Sequence, residues 1–69
     1  MKTATVLKQV KAAGKEVTHT NGKMNWVKLD SGNSLFWIDE DGTASCLCVE
    51  GNGWSARTST VKHLQSVLY

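Results

Sequence analysis

Two cysteines and two histidines are the side chains of this sequence with the most distinctive chemistry. Cys46 and Cys48 are two residues apart, so in a strand both thiols face the same way, about 6.5 Å apart, at the limit of what a disulfide tolerates. We predict that both are reduced, buried thiols. The alternative is half of a zinc site completed by His19 and His63, although a single Cys-x-Cys pair lacks the spacing of zinc-finger motifs.

The sequence contains no recognisable catalytic motif. With only two histidines, far apart along the chain, neither a Ser-His-Asp arrangement nor a Cys-His signature is indicated. Residues 39–42 resemble the start of a calcium loop but lack its later ligand positions, and Asp-Gly between strands is typical of a turn. Residues 51–53 precede a predicted strand, whereas a phosphate-binding glycine loop precedes a helix. We therefore predict a protein that is not an enzyme and that needs neither a cofactor nor a metal.

Helical periodicity occurs at both ends of the chain. Between residues 4 and 13 the apolar side chains fall within an arc of about 120°, and lysines form the neighbouring stripe. Thr3 is a candidate cap at the start, and Gly14 stands where a C′ glycine ends a helix. Residues 60–69 show the same spacing after three hydroxyl residues, 58–60, that are N-cap candidates. These patterns predict two amphipathic helices.

Short alternating runs separated by turn signals lie between the helices. The Asn-Gly pair at residues 21–22 predicts a type I′ hairpin turn, because that turn requires positive φ at both central positions. Further turn signals occur at residues 31–33, 41–42 and 51–53, at intervals of about ten residues. The runs that they separate are 16–20, 23–29, 34–39, 43–49 and 54–58. The predicted fold class is α+β, with an N-terminal helix, an antiparallel β-meander of four or five strands and a C-terminal helix in two layers.

The parity of the hairpin loops predicts which residues share a face of the sheet. If every loop has two or four residues, an even-numbered position opposes an odd-numbered one across each turn. A single three-residue loop would reverse the assignment beyond it. One face is then almost purely apolar and suits a core under the helices; its members are Val27, Leu29, Phe36, Ile38, Leu47, Val49, Trp54 and Ala56. The other, mixed face holds Val17, His19, Met24, Trp26, Lys28, Leu35, Trp37, Ala44, Cys46, Cys48 and Arg57.

The mixed face combines aromatic rings with lysine, arginine and histidine side chains. This is the composition of a surface on which nucleic-acid bases stack while cations contact phosphates. The alternative is that its tryptophans and cysteines form the core and that the helices cover them. The candidate binding residues are Trp26, Trp37, Lys28, Arg57, Lys15, Lys8 and Lys11.

Charge is distributed unevenly along the chain. The formal net charge is +2, but residues 1–28 carry six lysines against one glutamate, and residues 29–56 carry five acids and no base. A molecule with separate basic and acidic segments can orient itself on a charged partner. Charged residues in solvated turns produce the same uneven distribution. The acidic segment would repel phosphate if it lay beside the basic face, so its position discriminates between partners.

Length and composition predict one small globular domain, residues 1–69. A chain of 69 residues with 41% hydrophobic and 20% charged residues has a core too small to host a deep cleft. No apolar run reaches the roughly 18–20 residues that span a bilayer, and residues 1–5 lack the apolar region of a signal peptide. We therefore expect a cytoplasmic protein without membrane contact.

The order helix, antiparallel strands, helix is similar to that of double-stranded-RNA-binding domains and of small toxins with that fold. The resemblance covers most of the chain, but only as topology. The Lys-Lys-x-Ala-Lys start of the second helix in the RNA-binding domains has no match in residues 59–63, and the Gly-Ser-His stretch of the toxins is replaced by Asn21-Gly22-Lys23. No functional residue is therefore carried over.

The leading functional prediction is a small non-enzymatic binding or regulatory module that associates with nucleic acid. The alternative is a protein-binding module, such as a small inhibitor or a homodimer, that uses an uncovered face of the sheet.

Overall fold

The helices and strands follow the predicted order. The computed structural model describes residues 1–30, 32–49, 55–58 and 60–69. In chain order the elements are α1 (Thr3–Ala12), β1 (His19–Asn21), β2 (Met24–Lys28), β3 (Ser34–Glu40), β4 (Thr43–Val49), β5 (Ser55–Arg57) and α2 (Val61–Leu68). Neighbouring strands pair antiparallel, in the order β1-β2-β3-β4-β5. The predicted α+β class, with a helix on either side of an antiparallel meander in two layers, is confirmed.

Local hydrogen bonds end α1 and begin α2. The N–H of Lys15 donates to the carbonyl of Val10 at 3.1 Å, and Gly14 follows the helix with φ +73°, so the predicted C′ glycine is confirmed. Thr60 caps α2 by accepting a hydrogen bond from the His63 N–H at 3.1 Å. The prediction that Thr3 caps α1 is wrong, since Thr3 is already helical.

The two tight turns of the meander differ in backbone conformation. Asp41 and Gly42 both have positive φ, +53° and +83°, as a type I′ turn requires. At the β1–β2 turn the central residues are Gly22 and Lys23, and only the glycine has positive φ, as in a type II′ turn. The type I′ turn predicted at Asn21 and Gly22 is therefore wrong in type, although the hairpin itself is present.

The other two loops contain an odd number of residues, and this changes the faces of the sheet. Lys28 pairs with Ser34, and Val49 pairs with Ser55, so five residues separate the paired positions in each case. An odd loop moves every side chain of the next strand to the other face. The prediction for β3 and β4 is therefore wrong. Both odd loops precede β5, so its predicted face is reversed twice. Arg57 therefore lies on the face on which it was predicted.

Both helices pack on one face of the sheet, and the core lies between the two layers. Its largest fully buried side chains come from strands β2 and β3 and from both helices. The two helices also contact each other, and the Gln65 amide donates to the Gln9 side-chain oxygen at 3.1 Å. Members of the core are Val6, Val10, Val27, Leu29, Leu35, Trp37, Ala44, Cys46, Leu64 and Leu68.

The core differs from the apolar face that loop parity predicts. Trp37 is only 1% exposed, so the prediction that its ring shares a face with Trp26 is wrong. Conversely, Phe36 and Leu47, predicted in the core, are half-buried on the face that the helices do not cover. The side chains of Trp54 and Ala56 and the predicted turn at residues 51–53 lie outside the described part of the chain. No described helix is long and apolar enough to cross a membrane.

Candidate binding surface

The sheet surface opposite the helices, called the open face below, is rich in apolar side chains. Among the described residues, no element covers this face, because α1 and α2 both pack on the other one. Exposed apolar patches on small proteins commonly mark interaction sites. In the described part of the chain, six apolar side chains of the open face are half-buried, namely Met24, Trp26, Phe36, Ile38, Leu47 and Val49.

A row of side chains in register crosses the open face from one edge of the sheet to the other. Successive strand pairings align one residue from each strand. The ring centroids of His19 and Trp26 are 4.9 Å apart with planes tilted by 46°, and those of Trp26 and Phe36 are 5.0 Å apart at 44°. Aromatic pairs at such distances attract each other beyond their apolar contact. We call this set the aromatic row: His19, Trp26, Phe36, Leu47 and Arg57.

Two cationic side chains flank the apolar centre of the open face. Arg57 is exposed and ends the aromatic row on edge strand β5. Lys28 is exposed and follows Trp26 by two residues on β2, which places it on the same face about 7 Å further along the strand. Cationic side chains therefore lie at two places around the half-buried rings of Trp26 and Phe36.

Among the described acids of the 29–56 segment, Asp30 lies close to one of these two cations, because it follows Lys28 by two residues and lines the same cavity. The Asp30 carboxylate accepts a hydrogen bond and ion pair from the Lys15 ammonium at 3.1 Å, near the end of α2. Asp39 points to the helix layer, where its carboxylate accepts from the Thr3 hydroxyl at 2.7 Å. Glu40 ends β3 on the open face, and Asp41 lies in the β3–β4 turn. Glu50 lies outside the described residues.

The structure brings together only part of the predicted binding set. Three of its members, Trp26, Lys28 and Arg57, share the open face. Lys8 and Lys11 are exposed on α1, in the other layer, and Lys15, which follows α1, pairs with Asp30. Trp37 is in the core and Phe36 takes the place beside Trp26.

Phe36 is the aromatic residue of the open face that the loop-parity prediction placed in the core. Its displacement follows from the β2–β3 loop, in which the Leu29 N–H donates to the Asn33 carbonyl at 2.9 Å and leaves three residues between them. The glycine at position 32, with φ +86°, is the sequence signal of such a loop. If Gly32 is assigned to a three-residue loop, loop parity predicts Phe36 on the open face.

The two cysteines lie on the helix-covered face. Both are reduced, with Cys46 buried in the core and Cys48 half-buried. His19 lies on the opposite face of the sheet from Cys46. Within residues 1–30, 32–49, 55–58 and 60–69, no group of three histidine, cysteine or acidic side chains is arranged to hold a metal ion. Burial raises the pKa of the Cys46 thiol, and the nearby N-terminal ammonium offsets this only in part.

We expect the Cys46 thiol to react slowly with a thiol reagent in native buffer. A raised pKa keeps it protonated at neutral pH, and the thiolate is the reactive form. A Cys48→Ser variant isolates its signal, and the same variant in denaturant provides the rapid reference rate. Native labelling as fast as in denaturant would contradict the buried position of Cys46.

Comparison of this chain with protein-family models, with curated proteins and with solved structures finds no match. The similarity to double-stranded-RNA-binding domains is therefore one of element order alone, and the sheet here has five strands where that order has three.

Proposed function

We propose that this protein is a small, non-enzymatic binding module that associates with nucleic acid through the open face of its sheet. The observation that carries the proposal is the aromatic row, in which Trp26 and Phe36 adjoin each other on the uncovered face. Aromatic side chains of this kind stack on nucleic-acid bases, and stacking does not depend on base identity. The open face thus offers rings and apolar side chains for binding.

The charges of the open face support a polyanionic ligand. Lys28 and Arg57 are both exposed there, beside the rings. Asp39 is engaged by Thr3 on the helix side of the sheet. Asp30 is paired with Lys15 and lines one cavity with Lys28, and Glu40 ends β3 on the open face. Lys28 follows Trp26 by two residues, and Arg57 is two strands from Phe36, with Leu47 between them. Cations at these positions can contact phosphates while bases stack on the rings. Reduced cysteines suit a cytoplasmic protein, and that location is part of the proposal.

A protein partner is the second candidate, and the aliphatic part of the open face favours it. Met24, Ile38, Leu47 and Val49 add flexible and branched apolar surface around the two rings. The apolar side chains of two sheets can interdigitate when the sheets pack face to face. A second copy of this chain, or another protein with an apolar face, would use the same surface.

Binding to an oligonucleotide tests the proposal directly. Fluorescence anisotropy of a labelled single-stranded oligopyrimidine of about 20 nucleotides is measured with the parent protein, Trp26→Ala and Leu7→Ala. We expect Trp26→Ala to weaken binding about 5- to 150-fold, the equivalent of one lost stacking contact. Leu7 is 44% exposed on α1, in the other layer, so its truncation is a matched control that leaves affinity unchanged.

Light scattering on the same proteins distinguishes the second candidate. In one outcome the parent binds no oligonucleotide at low salt but forms a dimer, and Trp26→Ala is a monomer. This result would show that the open face binds a second copy of this chain and not nucleic acid. Equal losses of oligonucleotide affinity in Trp26→Ala and Leu7→Ala would show that the open face is not the binding surface.

A further inference from the structure

The aromatic row runs across the strands rather than along one of them. Its five members come from five different strands and are aligned by the pairing register. Neighbouring strands are about 4.8 Å apart, so the row is about 19 Å long. Rings stand at one end and in the centre, and the cation Arg57 ends the row on the other edge of the sheet. A linear ligand that uses the whole row must therefore cross the sheet perpendicular to the strands.

The two ends of the β2 and β3 strands differ in charge on the open face. Lys28 and its cross-strand neighbour Ser34 lie on one side of the aromatic row, about 7 Å from it along the strands. On the other side, Glu40 ends β3 four residues beyond Phe36, about 13 Å away. Between the row and Glu40 lie the apolar side chains of Met24 and Ile38. Charges next to the open face reduce this difference, since Asp30 and Glu16 line one cavity with Lys28. At the other end, the Lys23 carbonyl accepts from the Asp39 N–H, which places Lys23 near the Glu40 end. Lys28 remains the lysine of the open face nearest to the aromatic row, so a polyanionic backbone is attracted to it.

These two features define how a strand of nucleic acid would lie. We propose that a single strand crosses the five β-strands along the aromatic row, with bases stacked on Trp26 and Phe36, its phosphates on the Lys28 side and its last contact at Arg57. This assignment rests on the proposed function and specifies the form of its ligand. The bases extend over Met24 and Ile38, where apolar side chains replace water.

The ligand is single-stranded because a ring can stack only on a base whose flat surface is not covered by a neighbouring base. In a duplex each base is stacked between its neighbours and is not available to a ring on a flat sheet. The length of the row limits the footprint to about four nucleotides, at the lower end of the site sizes of known single-strand-binding modules. Two cations beside the row predict a logarithmic salt dependence with a slope of about −1.4, since each single-strand phosphate contact contributes about −0.7.

A length series of labelled oligopyrimidines, from about two to twelve nucleotides, tests the footprint. We expect affinity to rise steeply up to about four nucleotides and only slightly beyond, and a duplex of the same sequence to compete poorly. If the duplex competes as well as the single strand, nucleic acid binds but the crossing arrangement is wrong. If neither form binds the parent protein, the proposed function itself fails.

Two variants test the roles of ring and cation separately. Phe36→Leu keeps an apolar side chain and removes the ring, so we expect affinity to fall about 5- to 150-fold. Tyr69→Leu removes an exposed ring at the end of α2, in the other layer, so it is the matched control and leaves affinity unchanged. Lys28→Ala is expected to flatten the salt slope by about 0.7. Equal affinities of Phe36→Leu and Tyr69→Leu, or an unchanged slope in Lys28→Ala, would overturn the assignment.

Discussion

Replacement of Trp37 by alanine is expected to lower the free energy of unfolding by about 3–5 kcal/mol, the usual cost of truncating a large buried aromatic residue. Trp37 is 1% exposed and is among the largest fully buried side chains of the core, between the sheet and both helices. A domain of 69 residues has a total stability of about 3–10 kcal/mol, so the loss amounts to a large part of it. Thermal unfolding followed by circular dichroism should show a fall in Tm of about 15–40 °C.

Two further variants test whether the loss of a buried ring causes that fall in Tm. Trp26→Ala removes a half-buried ring of the open face and should lower Tm much less. Trp37→Phe keeps an aromatic ring and removes an indole N–H that has no acceptor among the described residues, so most of the stability should remain. Similar melting temperatures for Trp26→Ala and Trp37→Ala would contradict the observed register of β2 and β3.

Reversal of both cations of the open face, Lys28→Glu with Arg57→Glu, is expected to weaken oligonucleotide binding several hundredfold. At about 0.1 M salt each single-strand phosphate contact contributes about a fivefold gain in affinity. Loss of two contacts therefore costs about 25-fold, and the new carboxylates add a repulsion of similar size. Both positions are exposed, so the fold should tolerate the change and Tm should shift little. Anisotropy at fixed salt measures the effect.

Lys8→Glu with Lys11→Glu is a control that matches the total charge. Each double variant changes the formal net charge from +2 to −2, but Lys8 and Lys11 lie on α1, on the far side of the sheet from the open face. We expect the control to lose only a few-fold in affinity, through weaker long-range attraction. A greater loss of affinity in the control would indicate that the lysine stripe of α1 is the binding surface. Those lysines are also part of the sequence-based prediction.

The order and ends of the elements are predictable from the sequence because they depend on local signals. Gly14 ends α1 where its position indicates, and the Asp-Gly pair at 41–42 makes a type I′ turn. The faces of the sheet are not predictable in this way, since they depend on the parity of each loop. One uncounted residue between Lys28 and Ser34 is enough to exchange Phe36 and Trp37 between the core and the open face.

The candidate site was predictable only where the two odd loops do not interfere. Trp26 and Lys28 precede the first of them, and Arg57 follows the second, so these three residues occupy the predicted face. Trp37 lies between the two loops and is consequently in the core. Pairing of Lys15 with Asp30 depends on how the segment after α1 approaches the β2–β3 loop, and no local pattern in the sequence encodes that approach.

The position of the long strands in the sheet bears on self-association. The strands at the two edges, β1 and β5, have three residues each, whereas β3 and β4 have seven each and are paired on both sides. Unpaired backbone groups at a sheet edge are templates for adding strands from other molecules, and short edges offer few of them. The segments most prone to fibril formation, rich in β-branched and aromatic residues, are therefore held in the interior of the sheet. An apolar face can thus stay exposed for recognition without a long adjacent edge that would seed cross-β growth.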